Sequence, residues 1–403
     1  MTRTRARRES CVLTLLENAD IHAPDSLGIG HLLVGGGKLL YVGPERPEVD
    51  PRLLGERLDL QGMPVIPGLI DAHVHVTGGG GEDGFSTQAP AVPLTGFTRN
   101  GVTAVVGLLG TDDETRTTAG LLARTRALRE EGLSAWCWTG GYHLPPTTLT
   151  GSVRGDIVHI DCVIGLGEVA ISDHRSSQPT FDELARLASE VHVAGLLSRK
   201  AGVLHLHLGD GERGLELVRR LLRETELPPR VFHPTHVNRR RELFEEACQL
   251  SRDNVVVDVT AFPVEEGEDA WSAADAWERY HDRGCPAGRL TISSDGGGCL
   301  PHFDANGELV RMDFATSAGL PDTLRELLRR GHSLAAVLPS MTCNVAGLLR
   351  LPGKGRLMPG ADADLVCLDE RRGVRHVMAR GCWMVQHGAP LRAGRFEGAS
   401  PAG

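Results

Sequence analysis

Between residues 67 and 351 short apolar runs alternate with amphipathic stretches, and that rhythm constrains the fold more tightly than any other feature. The runs fall at 68–76, 102–110, 135–142, 163–172, 203–209, 231–237, 255–261 and 290–294, eight in all. Continuous apolar runs this short read as strands buried on both faces. Several intervening segments read as helices. The segment opening at Thr180 carries Glu183 three residues on, a capping-box pattern, and then Leu184, Leu187 and Val191 on one face. Residues 212–226 and 240–252 show similar stripes. Eight strands alternating with helices predict a (β/α)8, TIM-like barrel.

The flanks have another character. Residues 1–66 give strand-like runs at 11–16, 31–33 and 39–42, with glycine turns such as Gly35-Gly36-Gly37. The tail, 352–403, resumes that pattern with "ADLVCLD", "VRHVMARG" and "CWMVQHG". Together these ends predict a small β-sandwich domain built from both termini, beside a catalytic barrel at 67–351. A chain of 403 residues is also longer than one hydrophobic core usually serves.

Bulk properties exclude several classes. A net charge of −9 argues against a nucleic-acid partner. Nine cysteines without a C-x-x-C pair read as reduced thiols in a cytoplasm, not as a disulfide framework. The basic start MTRTRARRES meets acidic and polar residues too early for a signal peptide, and no apolar run reaches the ~18 residues of a membrane span.

Chemistry gathers at the strand ends. Residues i and i+2 share a strand face, so His73 and His75 point together. Tyr142 ends the third run and Glu168 lies within the fourth; His207, His236 and Asp295 close the fifth, sixth and eighth. In a barrel such positions converge on the catalytic rim. Neutral imidazoles with anionic oxygens and no thiolate suit zinc or a similar divalent ion at a hydrolytic site. Glu168, inside "VIGLGEVAI", is costly to bury without a cation or strong hydrogen bonds. His205 and His233 share strands with His207 and His236 and compete with them for the same role.

"PGLIDAHVH" and "GKGRLMPGADADLV" resemble the opening and closing motifs of the amidohydrolase superfamily. "HVHVTGGGGE", "VTAVVGLLGTD", "TGGYHLPP", "TGSV", "AISDHRS", "HLGD", "PTHVNR" and "SSDGGG" are similar, within it, to the isoaspartyl (β-aspartyl) dipeptidases. That resemblance implies a metal-activated hydroxide acting on a β-aspartyl dipeptide. His73 and His75 would hold one ion, and His207 and His236 the other. Asp295 would bind the first ion and shuttle the proton, and Tyr142 would polarise the scissile carbonyl. Glu82 would recognise the substrate ammonium and Arg175 and Arg239 its carboxylates, with Gly80 and Thr111 lining the pocket. It also implies a homo-oligomer, of octameric order.

Two departures stand out. Where the family carries a carboxylated lysine bridging two metals, this chain has Glu168, and its three lysines, Lys38, Lys200 and Lys354, lie away from the strand ends. The expectation is therefore two divalent ions bridged by Glu168, with Gly165 and Gly167 allowing a bulge that offsets the shorter side chain. Cys299 replaces a serine that contacts substrate, and a thiol is the poorer hydrogen-bond partner. Rival readings are a cyclic-amide hydrolase or N-acyl-amino-acid deacylase on the same scaffold, or a non-catalytic assembly protein. The charged set Glu82, Arg175 and Arg239 speaks against a neutral ring.

Overall fold

The computed structural model describes residues 13–303 and 309–398, so Cys11, in the first expected run, lies outside them. The N-terminal segment forms β1 (Leu13–His22), β2 (Ser26–Gly35), β3 (Lys38–Gly43), β4 (Leu54–Asp59) and β5 (Pro64–Pro67). In β2 every second residue from Gly30 to Val34 is buried, the signature of a sheet with one covered face.

Each of the eight expected central runs overlaps a strand. They are β6 (Leu69–Val74), β7 (Val102–Gly107), β8 (Ser134–Thr139), β9 (Val163–Ser172), β10 (Val203–Leu208), β11 (Phe232–Thr235), β12 (Val257–Thr260) and β13 (Leu290–Ser293). β6 to β11 form a curled, wholly parallel six-stranded sheet in chain order, and β12 and β13 pair in parallel. Backbone bonds join the two pieces. Val237 N–H donates to Asp258 O at 3.2 Å, and His75 N–H to Gly296 O at 2.8 Å. The buried Asp71 carboxylate adds a tie, accepting from Ser294 N–H at 3.1 Å.

Helices α1 (Leu94–Thr98), α2 (Thr118–Glu130), α3 (Val153–His159), α4 (Phe181–Ser198), α5 (Glu216–Glu224), α6 (Arg241–Arg252), α7 (Ala273–Asp282) and α8 (Gly319–Arg329) follow these strands or their connections. The capping box on α4 is formed, with Thr180 accepting from Glu183 N–H while the Glu183 carboxylate accepts from Thr180 N–H at 2.9 Å. Leu184 and Val191 are buried and Leu187 packs at the edge of the core, so that stripe faces the sheet as its period requires.

Several strands stop short of the expected limits, and the cause is local. Gly140, His236 and Asp295 have φ of 83°, 59° and 55°, which no strand can continue. These turns place the chemical side chains beyond the strand ends. A hairpin of β14 (Cys299–Phe303) and β15 (Leu309–Phe314), which the run pattern did not contain, follows β13.

The tail adds β16 (Leu365–Leu368), β17 (Val374–Ala379), β18 (Cys382–Gln386) and β19 (Ala389–Pro390). Both ends enter one nine-stranded sheet, ordered β19-β18-β17-β16-β5-β1-β2-β3 with β4 beside β1. β5 is the seam between its halves. Leu365, Cys367 and Met378 share a core with Leu16, Ile21, Leu32 and Leu39, whereas Val366, Leu368 and Val377 join the barrel-side core with Phe97 and Val102. Alternate residues thus glue the sheet to its own small core and to the larger one. Among the described residues no helix is long and apolar enough to cross a membrane.

Candidate metal centre and substrate cavity

Four histidines surround one carboxylate. Glu168 Oε2 lies 3.0 Å from His207 Nδ1, 3.4 Å from His236 Nε2 and 3.5 Å from His73 Nε2, and Oε1 lies 3.6 Å from His75 Nε2. Asp295 Oδ1 adds contacts of 3.3 Å to His73 Nε2 and 3.1 Å to His75 Nε2. All six residues are buried. Within these six, three triads have ligand atoms close enough to share a cation: His73, His75 and Glu168; His73, His236 and Asp295; Glu168, His207 and His236. His73 Nε2 and Asp295 Oδ1, which face each other at 3.3 Å, are buried without a hydrogen-bond partner. Buried polar atoms left so are expensive, and donors of this kind converging on one space fit a divalent ion.

Local backbone explains how each arrives. His73 lies in β6 and His75 one residue past its end, and the spacing of two turns both to the inner face. His236 does not follow from its strand: His233 and Thr235 share one face, and the left-handed turn at 59° swings His236 back inward. Its Nδ1 stands 2.7 Å from Thr260 Oγ1, which leaves Nε2 toward Glu168.

The reach of Glu168 has a visible origin. Opposite Leu204–Leu206 of β10, the β9 strand runs from Leu166 to Val169, one residue more, so a bulge sits at 167–168. A Cβ on Gly167 would meet His205 Cβ at 2.6 Å, and one on Gly165 would meet Val203 O at 2.2 Å. Only glycine allows this approach. No described lysine competes for the position: Lys38 pairs with Asp362, Lys200 donates to Ile157 O and Ile160 O, and buried Lys354 bonds Asp364 and Ser134.

Charge follows the geometry. Burial alone would raise the Glu168 carboxyl, yet His73 and His207 hold it well below the carboxylate range. Asp295 is likewise held low against burial by its contacts with His73 and His75. Burial pushes His236 down to about 3 and keeps it neutral, as a metal ligand must be. Burial and the neighbouring Glu168 raise the Tyr142 phenol, which therefore stays protonated, and its hydroxyl stands 2.8 Å from His207 Nδ1.

A cavity of about 550 Å³ opens over this centre, lined by Glu82, Arg175, Arg239, Asp295, Cys299, Phe262 and Met312 among others. Arg175 forks onto Asp173, with Nε to Oδ1 at 2.9 Å and Nη2 to Oδ2 at 2.7 Å, and gives Nη1 to Glu82 Oε1 at 3.1 Å. Thr111 Oγ1 also donates to Glu82, at 3.2 Å. Burial lifts the Cys299 thiol to about 11, with Glu82 and Asp295 adding to the shift, so it stands as a neutral thiol.

In the glycine run from Gly78 to Gly81, backbone amides are already engaged by neighbouring chain. Gly78 N–H is bonded to His75 O and Gly79 N–H to Gly297 O, both at 2.8 Å. A Cβ on Gly78 would meet Ala89 O at 2.0 Å, and one on Gly80 would meet Cys299 Sγ at 2.3 Å. The run makes room for neighbouring chain.

Asp173 escaped the sequence reading as a site residue, although it lies inside "AISDHRS". Its Oδ2 stands 2.9 Å from His207 Nε2, so the ring is held from behind while Nδ1 faces Glu168. His205 and His233, the competitors, turn out to lie below the centre; His205 Nε2 is 2.8 Å from His73 Nδ1.

A family model described as "Amidohydrolase family" matches residues 65–384. The chain belongs to this family of hydrolytic enzymes. More particularly, it is similar along nearly its whole length to a β-aspartyl dipeptidase from the thermophilic keratin degrader Fervidobacterium islandicum AW-1, solved with a β-Asp-Leu dipeptide. The two share 38% identity over 95% of this chain and 98% of that one, with a TM-score of 0.88. Dihydropyrimidinase from Brevibacillus agri NCHU1002 shares the fold alone, at 16% identity and a TM-score of 0.67 over 95% of this chain and 97% of that one. Among curated proteins, an imidazolonepropionase of Acidiphilium cryptum is 30% identical over 33% of this chain, a stretch spanning only 35% of that relative.

Proposed function

We propose that the chain hydrolyses β-aspartyl dipeptides at a centre of two divalent ions, zinc being the best match to its imidazole and carboxylate donors. The reach of Glu168 to one nitrogen of each of four histidines carries this reading. His73, His75 and Asp295 would hold one ion and His207 and His236 the other, with Glu168 serving both. The curled sheet is then the family's eight-stranded barrel, and the two-ended sheet its sandwich domain.

Such ions, when bound, lower the pKa of a water toward ~7 and polarise a carbonyl. Asp295 is positioned to take a proton from the attacking water and return it to the departing amine. The Tyr142 hydroxyl donates to the developing oxyanion. At the far end, a substrate carboxylate replaces Glu82 on Arg175, which frees Glu82 for the ammonium group, and Arg239 takes the second carboxylate. Similarity to a β-aspartyl dipeptidase over nearly the full length supports this substrate class.

A metal count on the purified protein, paired with assays on β-aspartyl-leucine, α-aspartyl-leucine and dihydroorotate, tests the proposal. Two ions per chain and turnover of the β-linked dipeptide alone are expected. A chain without metal, or one that opens only the ring, would contradict it.

A further inference from the structure

Beneath the centre a second polar cluster crosses the barrel interior. His73 Nδ1 meets His205 Nε2 at 2.8 Å, His205 Nδ1 meets His233 Nδ1 at 2.9 Å, and His233 Nε2 meets Thr291 Oγ1 at 3.0 Å. Thr291 Oγ1 in turn donates to Asp258 Oδ1 at 2.6 Å. The five residues come from five strands, β6, β10, β11, β13 and β12, and all are fully buried. Trp138 stacks on His205 at 5.1 Å with an interplanar angle of 13°, which fixes the central ring.

Resting on the metal-centre reading above, we infer that Asp258, acting through Thr291, His233 and His205, fixes the tautomer of His73 and aims its Nε2 lone pair at the first ion. The proton order follows from one end. Asp258 receives three hydroxyls, from Thr235 at 2.7 Å, Ser293 at 2.5 Å and Thr291 at 2.6 Å, the surroundings of an ionised carboxylate, which can only accept. Thr291 has a single proton and gives it to Asp258, so it must accept from His233 Nε2–H. A neutral His233 then has a bare Nδ1, which accepts from His205 Nδ1–H. His205 Nε2 is bare in turn and accepts from His73 Nδ1–H. His73 is left with an unprotonated Nε2, the atom without a hydrogen-bond partner beside Glu168 and Asp295.

Each contact holds one hydrogen, and the low-dielectric interior favours the arrangement in which the two middle rings stay neutral. Metal-bound histidines commonly donate their other N–H to a carboxylate or carbonyl. Here the anion lies three residues away, and two imidazoles and a hydroxyl carry its polarity to the ligand. Asp258, Thr291, His233 and His205 are thus positioning residues that touch neither ion nor substrate.

Zinc affinity by chelator competition reads this directly, without turnover. His205→Leu should weaken zinc binding by about 10–100-fold. His205→Gln, whose carbonyl can accept from His73 Nδ1–H, should recover most of the loss. Thr291→Val should weaken binding less than His205→Leu, and Thr291→Ser should match wild type. Equal affinity in wild type, His205→Leu and Thr291→Val overturns the inference. So does an equal loss in the Leu and Gln variants, which would reduce His205 to packing. If His205→Leu does not fold, the Thr291 pair decides: Val equal to Ser refutes the chain of tautomers. A wild-type chain that takes up no zinc instead breaks the functional proposal and removes the ligand being aimed.

Discussion

Two buried histidine clusters share one barrel, and they differ in how well their atoms are satisfied. In the upper one, His73 Nε2 and Asp295 Oδ1, which face each other, have no hydrogen-bond partner. In the lower one, both nitrogens of His205 and of His233 are matched, and Asp258 accepts three hydroxyls. Residue types and burial are the same. Unmet bonding capacity marks the binding site, and completed bonding marks its support.

The sharpest way to break this contrast is to remove the hub of the upper cluster. Glu168→Ala should drop the metal count below two per chain and reduce turnover at least about a thousandfold, since the ions supply several kcal/mol of transition-state stabilisation. Full metal content in this variant would end the bridging role. Tyr142→Phe should lower kcat by about 10²–10³-fold, the usual effect of losing one oxyanion donor, with metal content unchanged. Unaltered kcat would remove Tyr142 from the chemistry.

The lower cluster should reveal itself through pH. Burial pushes His233 down to about 4, below the ordinary histidine value of 6.5. The folded state therefore prefers the neutral ring. Its contribution is complete above pH 6.5 and is lost as pH falls toward 4, by roughly 3 kcal/mol in the limit. Denaturant melts of metal-free protein should show that slope, and His233→Gln should flatten it; an identical slope would mean another group is responsible. The smallest effect belongs at the cavity wall. Cys299→Ser offers a stronger hydrogen-bond partner and should lower KM by about fivefold, with kcat unmoved, in steady-state assays.

Much of the upper cluster was legible because a period of two assigns faces: His73, His75 and His207 point where the strand pattern sends them. That pattern carries no information on depth along the barrel axis. His205 and His207 share a face, and only the stagger of neighbouring strands puts one beside Glu168 and the other beneath His73. His236 is inward for a reason no periodicity encodes, its left-handed φ of 59°. The bulge at 167–168 could be anticipated, since Gly165 and Gly167 are the residues such an approach demands. The β14–β15 hairpin and the continuity of the nine-stranded sheet could not, because cross-chain pairing depends on where the barrel returns the tail.

That sheet has a consequence for synthesis. β5 ends at Pro67, and its antiparallel neighbour β16 begins at Leu365, so roughly 300 residues must leave the ribosome before the seam can close. At translation rates of about 5–20 residues per second, the interval is about 15–60 s. Throughout it, one edge of the N-terminal strands stays open to pairing with other nascent chains. Yield in the cell should therefore depend on chaperone supply during elongation more than on the stability of the finished barrel.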